Sequence, residues 1–189
     1  FKTEVMGRLI RFVSSHEVGH TLGLPHNMGS SVAYRVDSLR SASFTAKYGT
    51  APSIMDYARF NYVAQPEDKG VALMPNIGVY DKYAIEWGYR PILDKDAKGE
   101  KETLDAWILK HAGDPMYRFG HQQASGVVDP SSQTEDLGDD AMKASMYGIK
   151  NLKRILPKLE EWTSEKGETY AELSTMYGEL LGQFNRYMG

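Results

Sequence analysis

Eleven residues constrain this chain more than any other stretch: His16-Glu17-Val18-Gly19-His20-Thr21-Leu22-Gly23-Leu24-Pro25-His26. His16 and His20 are four apart, so on a helix their imidazoles lie one turn above each other on one face. Two neutral imidazole nitrogens at that spacing reach one metal ion at about 2.0–2.1 Å. Glu17 points off that line, which suits a base for a metal-bound water rather than a ligand. Gly23 permits the left-handed turn that ends a helix, and Pro25 keeps the helix from resuming. The chain then bends back, and His26 can approach the same ion from another side. Three protein ligands with one open vertex describe a catalytic metal site, not a closed structural one.

The pattern His-Glu-x-x-His-x-x-Gly-x-x-His over residues 16–26 resembles the signature of the metzincin clan of zinc endopeptidases. The clan carries a second mark, a methionine turn downstream that lies beneath the metal, and Ser53-Ile54-Met55-Asp56-Tyr57 looks like that turn. The resemblance implies Zn2+ held by His16, His20 and His26, with Met55 as the floor of the site and Glu17 as the base. It implies that Tyr57 ligates the resting metal or hydrogen-bonds the oxyanion, and that Phe60, Asn61 and Tyr62 wall the pocket for the side chain after the cut. Read without the resemblance, Met55 fills a gap in a core and Tyr57 is a half-buried aromatic with a wet hydroxyl. The implied activity is a zinc-dependent endopeptidase, with peptide or protein as substrate.

A length of 189 residues allows one domain or one and a half. The hydrophobic share of 41% and charged share of 25% are those of an ordinary globular protein. A net charge of −3 and the lack of a long basic run give no ground for a nucleic-acid partner. With no cysteine there is no disulfide framework and no thiolate metal site. No stretch is long and apolar enough for a transmembrane segment.

The fold expected is mainly α. A metzincin catalytic domain has, before its zinc helix, an upper half built on a twisted sheet whose edge strand holds the peptide. Here fifteen residues precede His16, and no signal-peptide pattern does. The expectation is a piece of a longer protein, with the upstream β-sheet half missing and the remainder of its own chain as a partner. Residues 1–90 are then the loop-rich lower half, with the zinc helix and methionine turn, and residues 91–189 a helical extension packed on it.

Along the chain, residues 2–22 read as a helix with Thr3 as N-cap and Val5, Leu9, Phe12 and Val13 on its core face. Residues 24–52 read as irregular, with Arg35, Arg40 and Lys47 as solvated charges. Val79 to Trp87 reads as a helix ended by Gly88, with Tyr80, Tyr83 and Trp87 in the core and Asp81 off the packed side. The charged run from Asp94 to Lys101 reads as an exposed connector, and residues 102–112 as a helix ending near His111. Residues 113–135, with Asp114-Pro115, Gly120, Gly126 and Asp129-Pro130, read as loop, and neither His111 nor His121 is spaced for the metal. Asp136, Asp139 and Asp140 either bind calcium or cap the next helix, and capping is favoured because no calcium-loop spacing is present. Helices are expected over 139–156, with Met142, Met146, Ile149, Leu152 and Ile155 or Leu156 inward, and over 165–188, the two packing as an antiparallel pair.

Asp136 to Ser145, with Tyr147 to Lys153 behind it, is similar to a family of large bacterial, Bacteroidetes-type zinc-dependent metalloproteases. That family carries export signals, which implies a periplasmic, cell-surface or secreted protein. Two rival readings stand beside the peptidase: a zinc-binding but catalytically inactive piece, and a helical interaction module whose histidines are core or surface residues. Zinc content discriminates the second of these.

Overall fold

The computed structural model describes residues 2–58, 60–93, 95–123 and 129–188. Asp94 and Gly126, read above from the sequence, lie outside them. The chain is mainly helical, and no strand occurs among the described residues. Helix α1 (Lys2–Thr21) carries the first two histidines. It begins at Lys2, so Thr3 is a helical residue and not its cap. The chain leaves α1 through Gly23 at φ 81°, a conformation that only glycine adopts without strain.

The region expected to be irregular, 24–52, holds two 3-10 turns, Ser31–Ala33 and Ser38–Arg40, and a short helix, α2 (Ala42–Tyr48), capped by the Ser41 hydroxyl. This region and residues 53–63 after it supply most of the buried core. Tyr34, Val36, Leu39, Ala51, Ala58 and Val63 pack together with Leu137 and Ala144. A buried segment without regular structure must find other partners for its peptide groups. Buried polar side chains provide them here. Asp56 accepts from the Ser31 N–H at 2.8 Å and the Ser30 hydroxyl at 3.0 Å, and the Asn61 amide donates to the carbonyls of Leu39 and Ala72. Asn61 is therefore spent on the backbone and walls no pocket, while Tyr62 packs against Tyr187.

Arg40 is not a free surface charge. Its guanidinium forks onto Asp68 at 2.7 and 2.9 Å and reaches the Tyr147 hydroxyl at 2.9 Å, tying residues 65–68 to the C-terminal helices. The paired guanidinium holds the Asp68 carboxyl below its ordinary range. Arg35 and Lys47 are exposed, as expected.

Helix α3 (Val79–Tyr89) runs through Gly88 rather than stopping at it. Tyr80 and Tyr83 are half-buried, but Trp87 is 41% exposed, and Asp81 is buried. Helix α4 (Ala97–Lys110) starts well before the expected boundary, because Asp96 caps it by accepting from the Gly99 N–H at 2.8 Å. The charged residues 97–101 are thus its solvated first turns, not a connector.

Helix α5 (Ala141–Ile155) is capped by Asp140, whose carboxylate accepts from the Lys143 N–H at 2.9 Å, and Asp139 accepts from Val36 N–H at 3.0 Å. Asp139 and Asp140 thus serve the backbone, and among the described residues the acids of 136–140 form no group able to hold a metal. Pro157 breaks the helical ladder, and the chain continues through a 3-10 turn into α6 (Leu159–Thr163). Helix α7 (Ala171–Met188) returns along α5, its Tyr187 against Gly148, so the antiparallel pair is present. Met142 and Met146 do not face inward: they are 80% and 67% exposed.

The apolar side of α1 is also not core. Leu9 and Val13 are exposed, Val5 and Phe12 only half-buried. No described element lies over that face, which instead leads to the histidines.

Candidate metal centre

Four local features bring α1 onto the site. His16 is buried, and its Nδ1–H donates to the Ile54 carbonyl at 2.8 Å. Gly19 lies on the Met55 thioether so closely that a Cβ there would overlap the sulfur. His20 Nδ1–H donates to the Leu24 carbonyl at 2.9 Å, in the turn that follows Gly23. Beyond Pro25, the Asn27 N–H donates to the Met55 carbonyl at 3.0 Å and fixes the strand of chain that carries His26.

The three imidazoles converge. Their ligand atoms all lie within 4.8 Å of one another, and this is the one such group of histidine or carboxylate side chains among the described residues. His20 Nε2 and His26 Nε2 are 3.2 Å apart. Two nitrogens at about 2.0–2.1 Å from one tetrahedral ion stand about 3.3 Å apart, so that pair already has the spacing of metal ligands. A carbonyl oxygen only accepts, so His16 and His20 carry their protons on Nδ1 and present bare Nε2 lone pairs inward. His16 Nε2 is buried with no hydrogen-bond partner, a costly arrangement unless something else takes its lone pair. Burial also lowers the His16 pKa, against a raising effect of the Ile54 hydrogen bond, which favours the neutral, ligating form. The residues fit a zinc ion.

Met55 is almost fully buried, its sulfur against Gly19 in the turn between His16 and His20. Tyr57 is half-buried, its ring centroid 4.5 Å from that of His26 and 5.3 Å from that of His16. Glu17 is exposed beside His16 at the edge of a cavity of about 380 Å³ lined also by Tyr57, Phe60, Phe12 and Met74. Of the three residues expected to wall a pocket, Phe60 does so. His111 and His121 are not in this cluster: His111 stacks on Tyr117 at 3.7 Å, and His121 meets Phe119 edge-on at 4.7 Å.

Two residues important to the centre were not visible from sequence. The buried Asp81 accepts from the Ser53 hydroxyl at 2.6 Å, the Gly78 N–H at 2.7 Å and the Ile54 N–H at 2.8 Å. It therefore holds Ile54 by its N–H, and the carbonyl of that same residue orients His16. Burial raises its pKa, opposed by those three donors. The signal was its place at the third position of α3, where acids commonly accept from the helix start. The other is Gln122, whose Oε1 accepts from His26 Nδ1–H at 2.7 Å; ninety-six residues separate the two, and no local pattern marks it.

A motif helix, a bend that returns a third imidazole, and a buried methionine against the helix form the kind of cluster that the metzincin signature implies. The profile of the family described as Met-zincin matches residues 1–189, and the chain belongs to that family. No curated protein and no solved structure matches the chain. Membership makes this a zinc metallopeptidase-like protein at the level of the family.

Proposed function

We propose that the protein is a zinc-dependent endopeptidase whose metal is held by His16, His20 and His26. The observation that carries this reading is the convergence of three imidazoles whose outer nitrogens are each satisfied, with the inward His16 Nε2 buried and unpartnered. Zinc bound there supplies a Lewis acid for the peptide carbonyl and lowers the pKa of water at the open vertex. Glu17, on the accessible side of His16, takes the proton of the attacking water and delivers it to the leaving amine. The Tyr57 hydroxyl, on a ring packed over two of the ligands, donates to the developing oxyanion. Phe60, Phe12 and Met74 give the adjoining cavity an apolar lining for a substrate side chain. The two stretches 1–90 and 91–189 act together, the first carrying the ligands and the second packing on it. Export to the periplasm, cell surface or medium is part of the same reading, by resemblance; no described helix is long and apolar enough to cross a membrane.

One observation favours a second reading, a module that holds zinc without turning over by itself. Among the described residues there is no strand along which an extended peptide could pair, and the α1 face beside the site is uncovered. Glu17→Gln separates the readings. The peptidase predicts that the variant keeps its zinc and loses about 10²–10⁴-fold in the rate of peptide cleavage, the usual worth of a general base. Cleavage by the variant at the wild-type rate removes Glu17 from the chemistry. Absence of cleavage in both favours the second reading.

A further inference from the structure

We infer that Gln122 is a positioning residue of the metal centre: its side-chain oxygen holds His26 with the proton on Nδ1, so that Nε2 faces the ion. The inference rests on the metal reading above. The outer nitrogens of the other two ligands are held by backbone carbonyls, of Ile54 and Leu24. His26 alone of the three has a side-chain partner on its outer nitrogen, so it is the one whose outer hydrogen bond a substitution removes directly. Partners of this kind fix the ring and raise ligand basicity.

The chain brings Gln122 there by construction rather than by chance contact. Asn27, fully buried and next to His26, donates from its amide to the Arg118 carbonyl at 2.9 Å and accepts from the Gly120 N–H at 2.9 Å. Gly29 and Gly120 meet backbone to backbone; a Cβ on either would come within 3.0 Å of the other's Cα. Just beyond, Gln123 accepts from the Asp129 N–H at 2.8 Å and donates to the His121 carbonyl at 3.0 Å. Residues 118–123 are thus clamped to the very segment that carries the third ligand. Gln122 itself is exposed, and its side-chain oxygen is spent on His26 rather than on the core.

The test uses the full chain with Gln122→Leu, which removes the acceptor at similar size, and Gln122→Glu, which keeps an acceptor. Zinc affinity is measured by chelator competition, and the His26 ring nitrogens are followed by ¹⁵N NMR in metal-free protein. The expected result is a loss of about 10–100-fold in zinc affinity for Gln122→Leu. Affinity for Gln122→Glu should equal or exceed that of the wild type. Without metal, His26 should carry its proton on Nδ1 in the wild type and shift towards Nε2 in Gln122→Leu. Equal zinc affinity in wild type and Gln122→Leu overturns the inference, and so does a Gln122→Glu variant as weak as Gln122→Leu. If the wild type takes up no zinc, the metal reading itself fails. The NMR comparison then decides the role of Gln122 alone: an unchanged His26 tautomer in Gln122→Leu rejects it.

Discussion

Asp81→Ala removes the acceptor of three hydrogen bonds from directly beneath the methionine turn. The donors are the Ser53 hydroxyl and the N–H groups of Ile54 and Gly78, at 2.6, 2.8 and 2.7 Å. The hydroxyl can turn elsewhere, but the two peptide N–H groups are left unsatisfied in a buried place, at about 1–3 kcal/mol each. Against this stands the cost of keeping a carboxylate out of water, visible in the raised Asp81 pKa. A net loss of about 3 kcal/mol follows, in the lower half of the summed range of about 2–6 kcal/mol because the buried carboxylate's own cost is relieved. For a chain of this size that is a fall of about 6–12 °C in the thermal midpoint of metal-free protein. Zinc affinity should fall as well, because the displaced Ile54 carbonyl no longer holds His16 Nδ1 at 2.8 Å. Asp81→Asn, with one acceptor retained and an amide NH₂ turned towards a donor, should lie between. A midpoint for Asp81→Ala within about 2 °C of wild type, with zinc affinity unchanged, would refute the idea that this carboxylate organises the turn.

Gly19→Ala places a methyl group on the Met55 sulfur. Overpacking of about 1–3 kcal/mol outweighs a gain in helix propensity of up to about 1 kcal/mol. The denaturation midpoint should therefore drop; a rise would mean that Met55 yields freely. Asp56 predicts a pH effect. Burial raises its pKa from 3.8 to about 7, against the Ser30 and Ser31 donors. A raised folded-state value means that its contribution is fully present below about pH 3.8 and is lost as pH climbs through about 7. The span is on the order of 4 kcal/mol. Asn at this position does not titrate, so unfolding free energies of Asp56→Asn and wild type should move in favour of the variant between pH 5 and pH 8. A difference that stays constant across that range contradicts the buried neutral carboxyl.

The convergence of the three histidines was readable because its geometry is local. His16 and His20 are one helical turn apart, and Gly23 with Pro25 dictates the stop and bend that bring His26 back. The methionine turn was readable through resemblance, and its sequence distance from the motif is bridged by just a few contacts, such as Asn27 N–H to Met55 O. What holds the outer nitrogens was not readable: backbone carbonyls have no residue type, and Gln122 arrives from ninety-six residues away. Asp81 was misread because helical periodicity sorts apolar residues and puts a lone acid on the wet side by default. The helices of the C-terminal half were found, but not their exposure. A stripe such as Met142–Met146 says that a face is apolar, not that anything lies on it. The early start of α4 was hidden because lysines and glutamates suit a solvated helix and a connector equally well.

Metal analysis of freshly purified protein tests the three-histidine centre most directly. Wild-type chain should carry close to one zinc per molecule, and His26→Ala, which removes the ligand delivered by the bend, should lose most of it while keeping its helical content. A wild type without zinc after exposure to the metal, or a His26→Ala variant that retains it in full, contradicts a shared ion between these three imidazoles.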